Sequence, residues 1–143
     1  MPRLAFSVTA GDVETSGSAS EEIASRVRAL GIEEGLARRA GIVAFEGEMN
    51  LMLYAKSGGT VTVEILPEAL EIVVEDNGPG IDDIELAMTP GFSTAPEWAI
   101  ELGFGAGMGL VNMKNNSDHF EITSQPGDGT RIRCRIDRRT HAA

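Results

Sequence analysis

Residues 73–83 read VVEDNGPGIDD and continue a run in which Leu70, Ile72 and Val74 alternate with Glu71, Val73 and Glu75. Such alternation marks a half-buried strand. Asp76 keeps the parity of the apolar residues, so its carboxylate points toward the apolar side. A charge placed there is costly unless charge-assisted hydrogen bonds satisfy it. Thr130 shares parity with Ile132 and Cys134 and also faces inward, at the start of its own strand. An inward acid and an inward hydroxyl, each beside a glycine turn, make a small polar site on an apolar floor. An adenine ring suits such a site, having a flat apolar face and an exocyclic amine that can donate to a carboxylate. Gly78 and Gly80 would let the backbone approach the ring where a Cβ would collide. The plainer alternative is an Asx-turn at Asp76, a common turn-capping arrangement.

Two further stretches carry chemistry. In FGAGMGLV, glycines 103, 105, 107 and 109 precede a helix, so free backbone amides and the positive end of the helix dipole face the same way. That arrangement can cradle phosphates, although glycine runs also serve as plain flexible joints. It is neither a dinucleotide fingerprint, which needs a parallel strand leading in and an acid beyond, nor a P-loop, which needs Gly-Lys-Ser/Thr. In FEGEMNLMLYA, Glu46 and Asn50 are four apart and neighbours on one helical face. Ile42, Val43 and Met49 surround Glu46 at one turn's distance, which should desolvate the carboxylate, raise its pKa and strengthen it as a base. Asn50 offers a neutral oxygen of the hard type that suits Mg2+. Glu48 faces elsewhere and is expected to be solvated. An ordinary surface Glu–Asn pair is the competing reading of this motif.

The elements that must hold these residues are readable in outline. RLAFSV is a short strand. A helix follows, with Ser18 and Glu21 at capping-box spacing, Ile23, Val27 and Leu30 in one stripe, and Gly31 as the stop. From Glu33 to about Lys56 runs a longer helix, with Leu36, Ala40 and Val43 on one side and Phe45, Met49 and Met52 on an adjoining one. Gly41 and Gly47 lie inside it and each costs about 1 kcal/mol relative to Ala, which argues against an unbroken helix. TVTVEIL and LEIVVED form a hairpin around PEA, and HFEITS and GTRIRCRI form another around QPGDG. Residues 82–104 show no single period and read as a long connection. The expected class is α+β: one domain over residues 1–143, a two-layer sandwich of helices on one face of a mostly antiparallel, mixed sheet, with a tail at 138–143.

A net charge of −10 argues against a nucleic-acid or anionic-membrane surface. The late basic run RIRCRIDRR reads as the solvated face of a strand. Cys134 is the only cysteine and its parity makes it a buried structural thiol. His119 and His141 read as solvated surface. The first residues form neither a signal peptide nor a membrane helix, so a cytoplasmic location is the expectation.

In chain order, E-x-x-x-N on a helix, D-x-G-x-G after a strand, G-x-G-x-G before a helix and a final Gly-Thr together resemble the GHKL family, which has the Bergerat ATP-binding fold. These are the ATP-binding domains shared by DNA gyrase, Hsp90, the MutL mismatch-repair protein and histidine kinases. The resemblance covers roughly residues 4–136. It implies ATP and Mg2+ as cofactors, with Asp76 reading the adenine amine, Gly78, Gly80, Ile81 and Thr130 around the ring, and Asn50 holding the metal. It also implies that Gly105, Gly107, Met108, Gly109 and Leu110 wrap the phosphates, that 82–104 is the ATP lid, and that Lys56 and Lys114 are candidate helpers.

Within that family the short architecture and the stretch NLMLYAKSGG look most like the anti-sigma-factor and switch-protein serine/threonine kinases. The resemblance then implies a kinase that phosphorylates a Ser or Thr of a small STAS-type anti-sigma-factor antagonist, with Glu46 as the base. A sigma factor, a phosphatase or a second copy of the chain are further partners it allows. Two alternatives stand beside it: a non-catalytic, nucleotide-responsive module that sequesters a partner, and a free-standing ATPase or histidine-kinase-like catalytic domain. GFSTA favours the last, whereas Glu46 departs from the Asn usual in histidine kinases. The lid is rich in apolar residues (Phe92, Trp98, Ile100, Leu102, Phe104), a surface that could dock a partner or another subunit. Gly47, next to the proposed base, is expected to loosen it.

Overall fold

The computed structural model describes residues 3–8, 17–54, 59–76, 109–125 and 129–138. The elements in chain order are β1 (Arg3–Val8), α1 (Ser18–Ala29), α2 (Glu34–Tyr54), β2 (Gly59–Ile65), β3 (Ala69–Asp76), α3 (Gly109–Asn115), β4 (His119–Gln125) and β5 (Gly129–Asp137). Five strands form one sheet in the order β1-β2-β3-β5-β4. Every pairing among them is antiparallel, so the mixed component of the expected sheet does not occur among the described strands. The class is α+β, as the patterning implied. The β2–β3 hairpin closes where the Leu66 amide donates to the Ala69 carbonyl at 2.8 Å.

Strand alternation creates the core. Val61, Val63, Leu70, Ile72, Val74, Ile132, Cys134 and Ile136 are buried and cluster with Ile23, Val27, Ala40, Val43, Leu51 and Met113 of the helices. Full burial of each large apolar side chain is worth about 1.5–3 kcal/mol. Burial pushes the Cys134 thiol up to about 11, in keeping with a structural role. The opposite sheet face carries Arg131, Arg133 and Arg135. Arg133 Nε donates to Glu71 at 2.6 Å, Arg131 lies 3.8 Å from Glu75 and Arg135 donates to Asp137 at 3.2 Å. The basic run is therefore a strand face paired with acids, and His119 is exposed 3.5 Å from Asp137. His141 lies outside the described residues. No described helix is long and apolar enough to cross a membrane.

Helix α2 runs unbroken through both glycines, and the packing explains the second of them. A Cβ at Gly41 would make only ordinary van der Waals contact with Ala24 Cβ, at 3.5 Å, so packing against α1 does not require glycine there. A Cβ at Gly47 would collide with Val74 Cγ2, so glycine there lets α2 lie directly on β3. The glycine beside Glu46 seats the helix on the sheet, contrary to the loosening expected of it. The apolar stripes hold in part: Met49 and Met52 are buried, while Phe45 is 39% exposed. Leu30 is 51% exposed, because it is the C-cap and has left the helical stripe before Gly31 turns at φ 78°.

The capping box is corrected. Gly17, at φ 89°, occupies the N-cap position of α1, and Ser18 is already inside the helix. The cap comes from elsewhere: Glu48 of α2 accepts from the Ala19 amide at 3.2 Å and the Ser20 amide at 3.1 Å. Glu48 is 2% exposed, not solvated as expected. The positive end of α1 and its free amides satisfy the buried carboxylate.

Candidate functional site

Two clusters meet where α2 crosses the end of β3. Gly47 rests on Val74, two residues before Asp76. Leu51 Cδ2 lies 2.7 Å from where a Cβ of Gly59 would be, and Gly59 pairs with Asp76. The 46–51 segment of α2 therefore overlies the strand end that carries Asp76.

The first cluster is a row across the sheet. Asp76 pairs in register with Thr130, and Thr130 pairs with Ser124. These three residues project from the core-facing side, in line with Val74, Ile132 and Ile122 in the next inward row of alternation. Thr130 is 9% exposed and Asp76 half-buried. Ser124 Oγ is 3.0 Å from Thr130 Oγ1 and donates to the Gly129 carbonyl at 3.2 Å. At Gly59, on the other flank of Asp76, any side chain would run into the Glu75 carbonyl. The row presents a carboxylate and two hydroxyls above an apolar floor, oxygens that can accept from an amino-bearing heterocycle.

The second cluster joins two helices. Position 109 opens α3 against Glu46 and Asn50, the two candidate residues in the second half of α2. A Cβ there would lie 3.1 Å from Glu46 Oε2 and 3.6 Å from Asn50 Oδ1. A side chain there would make the Glu46 carboxylate give way by a few tenths of an ångström. Glu46 is half-buried, and desolvation raises its pKa, opposed by a hydrogen bond from the Asn112 side chain. The sequence reading foresaw the direction of that shift but missed Asn112. Gly109 and Asn112 are three apart, hence on one helical face, and that spacing was the available signal. Ser124 was also missed, although its parity matches that of Ile122. Oxygens of Glu46 and Asn50 beside a helix start suit a hard cation bound together with phosphate oxygens. Among the described residues no three His, Cys, Asp or Glu side chains gather as a metal cage.

Leu110 is buried beneath this helix start, and Lys114 is exposed. Gly78, Gly80, Ile81, Gly105, Gly107, Met108, Lys56 and the proposed lid 82–104 lie outside the described residues.

With this geometry in view, comparison with known proteins is decisive on one point. Residues 37–140, more than half of the chain, match the family model for histidine kinase-, DNA gyrase B- and HSP90-like ATPases. The chain belongs to that family. It is 37% identical over 88 residues to the serine/threonine-protein kinase RsbT of Bacillus subtilis strain 168, covering 59% of this chain and 60% of that one. It is 47% identical over 66 residues to an anti-sigma F factor of Heyndrickxia coagulans, covering 46% and 42%. The matched region thus spans roughly half the length of these relatives. Among solved structures, the RsbU and RsbW domains of Rv1364c from Mycobacterium tuberculosis align at TM-score 0.64 and 13% identity, over 95% of this chain and 32% of that one. The mycobacterial sensor histidine kinase MprB aligns at TM-score 0.54 and 20% identity, over 95% and 97%. The structural likenesses speak for the fold.

Proposed function

We propose that this family member is an ATP-dependent serine/threonine protein kinase of the anti-sigma-factor regulatory type, acting in the cytoplasm on a small STAS-type partner. The convergence of Glu46, Asn50 and Gly109 over the end of β3 carries the reading, because it joins a desolvated carboxylate, a hard oxygen and a helix start. The names of the kinase and anti-sigma relatives support it.

On this reading residues 1–143 act as one nucleotide-binding unit. Asp76 and Thr130 hold the adenine edge, and the helix start at Gly109 faces the polyphosphate. Mg2+, held through Asn50 and phosphate oxygens, would supply neutralisation of phosphate charge. Glu46 takes the proton of the partner's Ser or Thr hydroxyl. The hydroxyl oxygen forms a bond to the γ-phosphorus as the bond to the β-phosphate bridging oxygen breaks, leaving ADP and a phosphorylated partner. The raised pKa of Glu46 makes it a better proton acceptor than an exposed carboxylate.

Transfer of label from γ-labelled ATP to a Ser or Thr of a STAS-type protein tests this. Glu46→Ala should still bind ATP and lose transfer by a factor of about 100 or more. Undiminished transfer would remove Glu46 from the mechanism. Tight ATP binding with no label on the partner would instead favour a sequestering module, a reading for which the anti-sigma F relatives speak.

A further inference from the structure

Ser124, on β4, is not part of any motif that points to nucleotide, yet its hydroxyl touches the buried Thr130 hydroxyl at 3.0 Å. A serine hydroxyl has one proton and two lone pairs. The Ser124 proton lies toward the Gly129 carbonyl, at 3.2 Å. Both contacts are hydrogen bonds at once only with Thr130 donating the shared one, which places the Thr130 proton on the Ser124 side. The Thr130 hydroxyl keeps its lone pairs for a ligand at the row it shares with Asp76, its partner in the register. Asp76, as a carboxylate, also only accepts.

We infer that Ser124 is a specificity-determining positioning residue that fixes the Thr130 hydroxyl as an acceptor, so that the Asp76–Thr130 row selects a ring edge bearing an amine over one bearing a carbonyl. The inference rests on the nucleotide reading of this row. A 6-amino purine supplies donors to both oxygens. A 6-oxo purine puts a carbonyl oxygen where that amine stood and moves its donor to N1, and Thr130 cannot rotate to donate to the carbonyl without breaking its bond to Ser124. Selectivity of this type comes from leaving buried polar groups mispaired with the wrong ligand. Thr130, at 9% exposure, has little water to compensate it.

The experiment is titration calorimetry of the full chain with ATP and with inosine triphosphate, which differs from ATP at this edge. In Ser124→Ala the Thr130 hydroxyl is released, and the ratio of ATP to inosine triphosphate affinity should fall roughly five- to tenfold, the weight of one hydrogen bond. Inosine triphosphate affinity should hold or rise as ATP affinity falls. Ser124→Thr keeps the hydroxyl and should keep the native ratio. Ser124→Cys fills the space but accepts weakly, and serves if the alanine variant does not fold; its ratio should fall in the same direction. An unchanged ratio in a folded variant, or equal loss of both nucleotides, would overturn the role of Ser124 while leaving ATP binding intact. If the native chain binds neither nucleotide, the ATP-site reading falls and this one with it.

Discussion

At the scale of single residues, Glu46 depends on two opposing influences. Desolvation against α3 raises its pKa, and the Asn112 amide donates to the carboxylate and lowers it. On the proposed mechanism Glu46 acts as base only when deprotonated, so transfer should rise with pH through its raised pKa. Removing the donor in Asn112→Ala leaves desolvation unopposed. The acid limb of the kinase pH profile should move to higher pH, by about half to one unit. A limb that stays in place would mean Asn112 does not act on the base. The environment of Glu46 was partly legible, because Ile42, Val43 and Met49 fall within one helical turn of it. Asn112 was not, since its contact depends on how α3 docks on α2, and local periodicity carries no such information.

At the scale of elements, α2 is the piece that organises the site, and two of its residues do so in ways the sequence obscured. Glu48 reads as an outward charge, but its carboxylate caps the distant α1. A long-range cap leaves no local signature, whereas the Ser18–Glu21 spacing offered a plausible false one. Glu48→Ala exposes two amide donors to burial without a partner and should cost about 2–3 kcal/mol in urea unfolding. A loss within a few tenths of a kcal/mol of zero would contradict the cap. Gly47 looked like a weak point in a helix, and it is the contact between α2 and β3. Gly47→Ala gains about 1 kcal/mol of helix propensity but meets Val74, and overpacking of this kind costs about 1–3 kcal/mol. Val74→Ala should relieve it: the double variant should be more stable than the sum of the single losses, a coupling readable in a double-mutant cycle. Simple additivity would show that the contact is not made.

At the scale of the whole molecule, the sheet order does what no stretch of sequence can do alone. β5 inserts beside β3, and this pairing sets Thr130 against Asp76 although a long segment and two elements separate them. Strand parity already put both side chains on the inner face, so the face was legible and the adjacency was not. The overall charge of −10 sets a second condition: a polyanionic nucleotide needs countercharge, which the described half of the site supplies only through a helix start and cation-suited oxygens. The proposed function places one nucleotide pocket where α2 meets β3 and α3. Calorimetric titration of ATP in saturating magnesium into the native chain and into Asp76→Ala tests it most directly. The expected result is saturable, one-to-one binding by the native chain and affinity at least roughly 100-fold weaker in the variant, the loss of a half-buried charged hydrogen-bond acceptor. Equal affinities for the two proteins, or no heat of binding from the native chain, would contradict it.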